Sequence, residues 1–202
     1  MAFETLLQHK KAFVFGLDDV LYPKKDYLLQ VYYLFSEFMA YTEQLDSGAM
    51  IAFMQNEYLS NGAEAIFDKT ATQFSIDSKY RHNFDLLHEN ARLPLKLLLY
   101  KQVLAFMQEI VVERKQIFIL ADGNPAEEIN KIKQVEWNGL EQYLKLYFTA
   151  EFESKPSPAS INFLSEQNGL SIDDMAIIGA NKRDEQFAAV LEIEYFDVTK
   201  LL

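Results

Sequence analysis

The 202-residue chain has 30 Asp and Glu against 19 Lys and Arg, and its net charge of −11 argues against binding to DNA or RNA. It has no cysteine, which excludes disulfides, thiolate nucleophiles and Cys-ligated metal sites. Half of the residues are hydrophobic, but no apolar run approaches the roughly 18 residues of a membrane span. Segment 1–11 carries charged and polar groups where a signal peptide would be apolar. We therefore expect a folded cytoplasmic protein that does not associate with membranes.

Short apolar segments along the chain are typical of strands in a parallel sheet. The predicted strands are residues 12–15, 116–120, 146–149, 175–178 and 193–198. Longer amphipathic segments lie between them, and this alternation predicts an α/β fold with a doubly wound parallel sheet. Ligands of such sheets bind at the carboxyl ends of the strands. The polar clusters that follow the first four strands are therefore the candidate site.

The first two predicted strands are too far apart in the sequence to be joined by one crossover helix. Apolar residues between them recur at helical spacing, as in Leu28, Val31, Tyr32, Phe35, Phe38 and Met39. We interpret residues 24–91 as a helical cap domain, inserted after the first strand into a core domain of residues 1–23 and 92–202. The aromatic residues are expected to form the interior of the cap. Pro94 precedes a further predicted helix, residues 95–113, which returns to the sheet.

Two carboxylates, Asp18 and Asp19, follow the first strand in the sequence FVFGLDDVLYP of residues 13–23. This stretch resembles the first motif of the haloacid dehalogenase (HAD) superfamily, in the FDLDDTLYP form of its small capped phosphatases. The resemblance implies a nucleophilic Asp at the position of Gly16 and a general acid and base at Asp18. Because glycine has no side chain, it implies a phosphatase-like scaffold whose nucleophile is missing. Val20 stands where the family usually has Thr.

The second motif of the family is a strand that ends in Thr or Ser, whose hydroxyl binds the transferring phosphoryl group. Here the strand leads into Ala121, Asp122 and Gly123. The methyl group of Ala121 cannot donate a hydrogen bond to a phosphoryl oxygen. The negative charge of Asp122 would repel phosphate, although Asp-Gly remains a good turn sequence.

The third motif is a Lys that neutralises charge on the nucleophile and the phosphate. Lys155 retains it, in the sequence KPSP of residues 155–158, which matches the KPxP pattern of the family. Because its usual partners are absent, we expect Lys155 to form an ion pair with Asp18, Asp122 or Asp184.

The fourth motif is an apolar strand followed by Gly-Asp and a second Asp. Gly179 and Asp184 are retained, but Ala180 replaces the Asp that the resemblance assigns to Mg²⁺ binding. Mg²⁺ prefers octahedral oxygen ligands that include carboxylates. We therefore expect no cofactor; Mg²⁺ remains the alternative, with Asp18 and Asp184 as its residual candidate ligands.

The retained positions define the candidate site. Asp18 and Lys155 are the candidate catalytic residues, and the candidate ligand-binding residues are Asp19, Asp122, Gly123, Lys155 and Asn181. Since each follows or ends a predicted strand, we expect them to gather at one end of the sheet, beneath the cap.

Three functions remain open at this point. The first is a non-catalytic HAD homologue that binds a small molecule or anion in the cleft between core and cap; an anion near Lys155 would favour it. The second is a HAD hydrolase with an altered mechanism that uses Asp18, Asp19 or Asp122; Mg²⁺ bound by Asp18 and Asp122 would favour it. The third is a protein-interaction module of unknown partner, favoured by a cleft filled with its own side chains and an exposed apolar patch elsewhere.

Overall fold

A five-stranded parallel sheet forms the centre of the structure, a computed structural model that describes residues 2–153 and 155–202. The strands are β1 (Ala12–Phe15), β2 (Leu97–Leu98), β3 (Gln116–Ala121), β4 (Val135–Glu136), β5 (Leu144–Phe148), β6 (Met175–Gly179) and β7 (Glu194–Asp197). The order in the main sheet is β5-β3-β1-β6-β7, and β2 and β4 form a separate parallel pair. The α/β fold with a parallel sheet is therefore as predicted.

Helices alternate with these strands. They are α1 (Ala2–His9), α2 (Lys24–Glu43), α3 (Ser47–Asn61), α4 (Ile66–Phe74), α5 (Arg81–Asn90), α6 (Lys101–Val112), α7 (Pro125–Gln134), α8 (Ala159–Asn168) and α9 (Lys182–Val190). None of the helices in the described part of the chain combines the length and the apolar character needed to cross a bilayer.

The central strand β1 is buried on both faces, which explains its uninterrupted apolar sequence. On one face, the ring of Phe106 in α6 lies 5.4 Å from that of Phe13 and 6.0 Å from that of Phe15. On the other face, Val14 belongs to a buried cluster that includes Leu164 of α8 and Phe187 of α9. The sheet is therefore covered by helices on both sides, as in a doubly wound fold.

The register of the sheet brings three strand ends together. Phe15 pairs with Ile119 of β3 and with Ile178 of β6. The N–H of Gly16 continues the ladder by donating to the carbonyl of Ile178, 3.1 Å away. The residues that follow β1, β3 and β6 consequently begin at the same edge of the sheet.

The chain divides into two compact units. The larger contains the residues up to Lys24, Leu97–Glu128 and Val135–Leu202, and the smaller contains Lys25–Lys96 and Ile129–Gln134. Aromatic rings form the interior of the smaller unit: the centroid of Phe84 lies 5.1 Å from that of Phe35 and 5.6 Å from that of Phe67. All three rings are buried.

The bounds of two predicted elements are wrong by two residues or more, and those of β3, β6 and β7 differ from the prediction by one residue at one or both ends. The helix expected over 95–113 begins only at Lys101, because Leu97–Leu98 instead forms strand β2 and pairs with β4. The strand expected over 146–149 begins at Leu144, and Thr149 lies outside it in a short 3-10 helix. Short apolar runs suit a strand or a buried helix equally well, so the partner segment decides between them.

Replacing Gly179 by Ala should destabilise the larger unit. A Cβ atom at this position would lie 2.5 Å from Cβ of Asp184 and 2.8 Å from Cε2 of Tyr195, so neighbouring groups must move. We expect the free energy of unfolding, measured with urea, to fall by about 1–3 kcal/mol. Gly48→Ala is the matched control, because its Cβ meets only a side-chain oxygen of Asp46, at 3.3 Å. An equal effect of the two substitutions would contradict the role of this close approach.

Asp174 joins the amino ends of β1 and β6. Its carboxylate accepts the N–H of Ser171 at 3.0 Å and pairs with Nζ of Lys11 at 2.9 Å. The ammonium of Lys11, followed by the bonds from Ser171, lowers the pKa of Asp174 to about 2. Because this pKa is depressed, the stabilisation is complete above the ordinary value of 3.8 and disappears as the pH falls toward 2.

The Lys11→Met variant should therefore raise the pKa of Asp174 toward 3.8, since the largest cause of the depression is removed. An NMR titration of the side-chain carboxyl carbon measures this directly. Lys200→Met, which removes an exposed charge elsewhere, is the control. An unchanged titration of Asp174 in the Lys11 variant would refute the assignment.

Candidate functional site

The ends of β1, β3 and β6 border a pocket of about 180 Å³ that lies within the larger unit. Gly16, Asp18, Asp122, Lys155, Asn181 and Asp184 are among the residues that line it. The structure therefore brings most of the sequence-predicted site residues together. The pocket is smaller than the usual 300–1,000 Å³ of small-molecule sites, so its occupant must be small.

Lys155 and Asp184 form a nearly buried ion pair. Nζ of Lys155 donates to Oδ1 of Asp184 at 2.9 Å, and the two side chains are 6% and 10% exposed. Oδ2 of Asp184 accepts the N–H of Ala180 at 3.3 Å, while the ring of Phe187 lies 5.2 Å from Nζ of Lys155. Of the three partners expected for Lys155, the structure selects Asp184.

Asp18 also lies beside a cation. Its Oδ2 is 3.4 Å from Nζ of Lys24, and its Oδ1 accepts a hydrogen bond from the hydroxyl of Tyr22 at 3.1 Å. About 20% of the Asp18 side chain is exposed, so the carboxylate reaches the pocket without being deeply buried.

Asp19 stabilises the turn that leads from β1 into α2. Its backbone has a φ of +60°, and its Oδ1 accepts the N–H of Lys24, the first residue of α2, at 2.8 Å. It is not among the residues that line the pocket. The carboxylate that sequence analysis offered as a ligand-binding group is thus used to begin a helix.

Asp122 has two partners that come from other parts of the chain. The hydroxyl of Thr149 donates to its Oδ1 at 2.6 Å, and the guanidinium of Arg183 lies 3.1 Å from its Oδ2. Gly123, which follows it, does not line the pocket. A Cβ at Gly123 would lie 2.8 Å from Oε1 of Glu128, so its backbone borders that side chain.

Asn181 acts as the N-cap of α9. Its Oδ1 accepts the N–H groups of Arg183 and Asp184, at 2.9 and 3.0 Å. This use satisfies two of the helix's orphan donors and fixes the first turn from which Asp184 projects. The side-chain amide oxygen is therefore already engaged within the protein.

Small residues stand at the three strand ends where the family resemblance implies reacting or ligating groups. A Cβ at Gly16 would lie 3.0 Å from Cγ2 of Val20, so the Val20 methyl takes up much of that space. Ala121 ends β3 and is buried, and Ala180 follows β6. None of the three positions offers a side-chain oxygen.

Tyr195 lies beside Gly179, at the end of β6, and its phenol remains protonated at any ordinary pH. Burial raises the pKa of Tyr195 to about 12, and the negative charges of Asp197, Asp184 and Glu185 add to the effect. Its hydroxyl is 3.4 Å from the carbonyl oxygen of Asn181. Tyr195 is consequently a structural hydroxyl and not a candidate base.

Sequence reasoning missed Lys24, Arg183 and Thr149 as members of the site. Lys24 begins helix α2 shortly after Asp18, and Arg183 immediately precedes Asp184. Both residues are close in sequence to predicted site residues, which could have suggested that they belong to the site. Thr149 gave no signal, because its contact with Asp122 depends on the pairing of β3 with β5. Among the described residues, no group of three or more His, Asp or Glu side chains is arranged to hold a metal ion.

Solved structures with the same fold include several hydrolases. A Thermotoga maritima protein described as a β-phosphoglucomutase has a TM-score of 0.65 and 12% identity, over 93% of this chain and 84% of that one. A hydrolase from Streptococcus pneumoniae TIGR4 has a TM-score of 0.56 and 12% identity, over 96% of both chains. The L-2-haloacid dehalogenase of Xanthobacter autotrophicus, solved with chloropropionic acid covalently bound, has a TM-score of 0.55 and 14% identity, over 92% and 76%. These identities establish the shared fold only.

Sequence comparison defines the family. No curated protein sequence matches this chain. The family model described as haloacid dehalogenase-like hydrolase matches residues 13–198, which include all the strand ends of the pocket. The chain therefore belongs to the haloacid dehalogenase-like hydrolase family.

Proposed function

We propose that this family member is a non-catalytic binding or regulatory protein, whose larger unit is the core and whose smaller unit is the inserted helical cap. The observation that carries the proposal is the state of the pocket: Gly16 offers no nucleophile, and each of Asp18, Asp122 and Asp184 faces a cation of the same chain. The cytoplasmic location and the lack of a nucleic-acid partner rest on composition and charge, and stay predictions.

The argument against phosphoryl transfer is one of absent chemistry. The family resemblance implies a nucleophile at position 16, a hydroxyl at position 121 and a metal-binding carboxylate at position 180, where this chain has Gly, Ala and Ala. Groups of this kind act as a unit in catalysis, so the loss of any one removes most of the activity and restoring one alone recovers little. Electrostatic stabilisation of the transferring group would be lost together with the attacking atom.

The charges of the pocket favour a neutral or zwitterionic ligand. Four carboxylates line it, from Asp18, Asp122, Glu128 and Asp184, against the three cations Lys24, Lys155 and Arg183. A phosphate dianion would add negative charge to this balance, so the anion expected from the sequence is the less favoured occupant. A small zwitterion could pair with the more exposed groups at the rim, where the Arg183 side chain is 57% exposed.

One observation favours a second candidate, a hydrolase with an altered mechanism. Asp18 lines the pocket, is 20% exposed and accepts a hydrogen bond from the hydroxyl of Tyr22. A carboxylate in this position could attack an electrophile, with Lys24 stabilising the developing charge. Activity assays separate this candidate from the non-catalytic one.

The unmodified protein should show no Mg²⁺-dependent hydrolysis of p-nitrophenyl phosphate above the rate of buffer, because nucleophile, phosphoryl donor and metal ligand are all absent. Gly16→Asp alone should remain inactive, since its Cβ must displace Val20 and the other two groups are still missing. Steady-state release of nitrophenol measures both. Turnover by the unmodified protein that Asp18→Asn abolishes would establish the altered hydrolase instead.

The triple variant Gly16→Asp, Ala121→Thr, Ala180→Asp is the matched comparison for this assay. It restores the three groups while Asp18, Lys155 and Asp184 stay in place, so Mg²⁺-dependent turnover is expected to appear here and in no single variant. Mg²⁺ affinity measured by calorimetry should rise in parallel. An unmodified chain that binds Mg²⁺ as tightly as the triple variant would contradict the proposal.

Lys155→Met should destabilise the protein by about 3–5 kcal/mol, because the substitution leaves the carboxylate of Asp184 buried without its cation. Urea unfolding measures the change. The double variant Lys155→Met, Asp184→Asn removes both charges and keeps an acceptor for the N–H of Ala180, so it should recover most of the lost stability. A double variant as unstable as the single one would show that Lys155 stabilises the protein through contacts other than this pair.

A further inference from the structure

A groove of about 590 Å³ lies at the amino end of the sheet, where β3 and β5 begin. Gln116 and Ile117 contribute the start of β3, Lys145 is the second residue of β5, and Arg114 and Lys115 come from the segment between α6 and β3. The carboxyl ends of β1, β3 and β6 border the pocket described above, so the groove and that pocket occupy opposite ends of the same parallel strands. Its volume is within the range of small-molecule sites.

The groove is positively charged on a strongly acidic protein. Three cations line it, from Arg114, Lys115 and Lys145, and no carboxylate is among its lining residues. This composition contrasts with the chain as a whole, whose net charge is −11. A small anion inside the groove responds mainly to charges within about 10 Å. Glu113 and Glu166 precede the lining residues Arg114 and Gln167 in the sequence, but neither of these carboxylates lines the groove.

The two lysines have neutral partners only in the part of the chain that the structure describes. Nζ of Lys145 donates to Oε1 of Gln116 at 3.2 Å and to Oδ1 of Asn168 at 2.5 Å. Nζ of Lys115 donates to the carbonyl oxygens of Leu7 and Lys10. Lys145 donates to neutral side-chain oxygens, whereas Lys115 donates to carbonyls at the carboxyl end of α1, whose partial negative charge offsets part of its own.

Helix C-termini do not account for this charge. Helices α6 and α8 end at the groove, and the carboxyl end of α1 accepts hydrogen bonds from Lys115. Each of these three ends carries the equivalent of about half a negative charge, against three full positive charges. The terminal carbonyls also have backbone partners: the N–H of Lys115 donates to Ile110 at 3.0 Å, and that of Leu170 to Ser165 at 3.1 Å. A net positive charge therefore remains in the groove, carried by Arg114 and Lys145.

We propose that this groove is a second ligand site, which binds a small organic anion with an aromatic or aliphatic body. The guanidinium of Arg114 and the ammonium of Lys145 would bind a phosphate or carboxylate group, whose paired oxygens match a guanidinium fork. The half-exposed ring of Tyr143, together with Val111, offers the apolar surface for the body of the ligand.

The test is calorimetric titration of the whole protein with 1-naphthyl phosphate and with 1-naphthoate, which share a ring and differ in the anionic group. At least one should bind with a Kd below about 1 mM, and the neutral 1-naphthol at least about tenfold more weakly. The tighter of the two probes identifies the anionic group. If neither binds below about 10 mM, or if 1-naphthol binds as well as both, the proposal is wrong.

Charge variants assign the binding to this groove. Arg114→Gln combined with Lys145→Gln should weaken the tighter probe at least about tenfold, since two charge-assisted bonds are lost. Both side chains are exposed, so folding, checked by thermal unfolding, should persist. Lys200→Gln removes an exposed charge outside the groove and should leave the affinity unchanged. Equal affinities for the double variant and this control would overturn the proposal.

Arg183→Gln distinguishes the groove from the pocket at the carboxyl ends of the strands, because Arg183 lines that pocket with a side chain that is 57% exposed and can be replaced without burying a charge. The affinity for the naphthyl anion should be unchanged in this variant, because Arg183 does not line the groove. If Arg183→Gln weakens binding and the Arg114 and Lys145 pair does not, the anion occupies the other pocket. That outcome overturns the proposal that the groove binds the anion. It also overturns the preference of the pocket for neutral or zwitterionic ligands. Hydrolytic turnover by the unmodified protein, in contrast, would overturn only the proposed non-catalytic function.

Discussion

Two opposite charges, on Lys155 and Asp184, meet 2.9 Å apart with almost no contact with water. Removing such groups from water costs several kcal/mol per ion, so the pair is stable only when its geometry and its remaining hydrogen bonds are good. Here the N–H of Ala180 supplies one of those bonds, and the missing side chain of Gly179 lets Asp184 approach the strand. The pair therefore holds three segments of the chain together: the end of β6, the first turn of α9 and the segment before α8.

The same pairing shapes what the strand ends can bind. A carboxylate that already faces a cation has less to gain from a metal ion, and a lysine that already faces a carboxylate has less to gain from an anion. This applies to Asp18 with Lys24 and to Asp122 with Arg183, as well as to the buried pair. Among the residues that the structure describes, the cations at the opposite end of the sheet have no carboxylate partner, so the two ends of one sheet differ in the charge of the ligand they suit.

The sequence was most informative where burial alone decides the structure. Strand β1 has its predicted bounds, because a strand covered on both faces must be apolar throughout. The gathering of Gly16, Asp122 and Asp184 followed from the rule that parallel strands end at one edge. The partner of Lys155 could not be predicted, because the topology places three carboxylates, those of Asp18, Asp122 and Asp184, at the same edge of the sheet. Arg183 was missed although it immediately precedes Asp184, because that spacing does not show that its guanidinium reaches Asp122.

The placement of β1 between β3 and β6 also has a consequence for how the chain is made. Both neighbours of this strand come much later in the sequence, at Gln116–Ala121 and Met175–Gly179. A ribosome adding about 5–20 residues per second needs about 8–30 s to pass from the end of β1 to the start of β6. Until β6 has been made, β1 has no strand partner at one edge. Until β3 has been made, it has no strand partner at either edge. Contacts so distant in sequence close slowly, so the buried strand β1 stays without its full set of strand partners until β6 has been made.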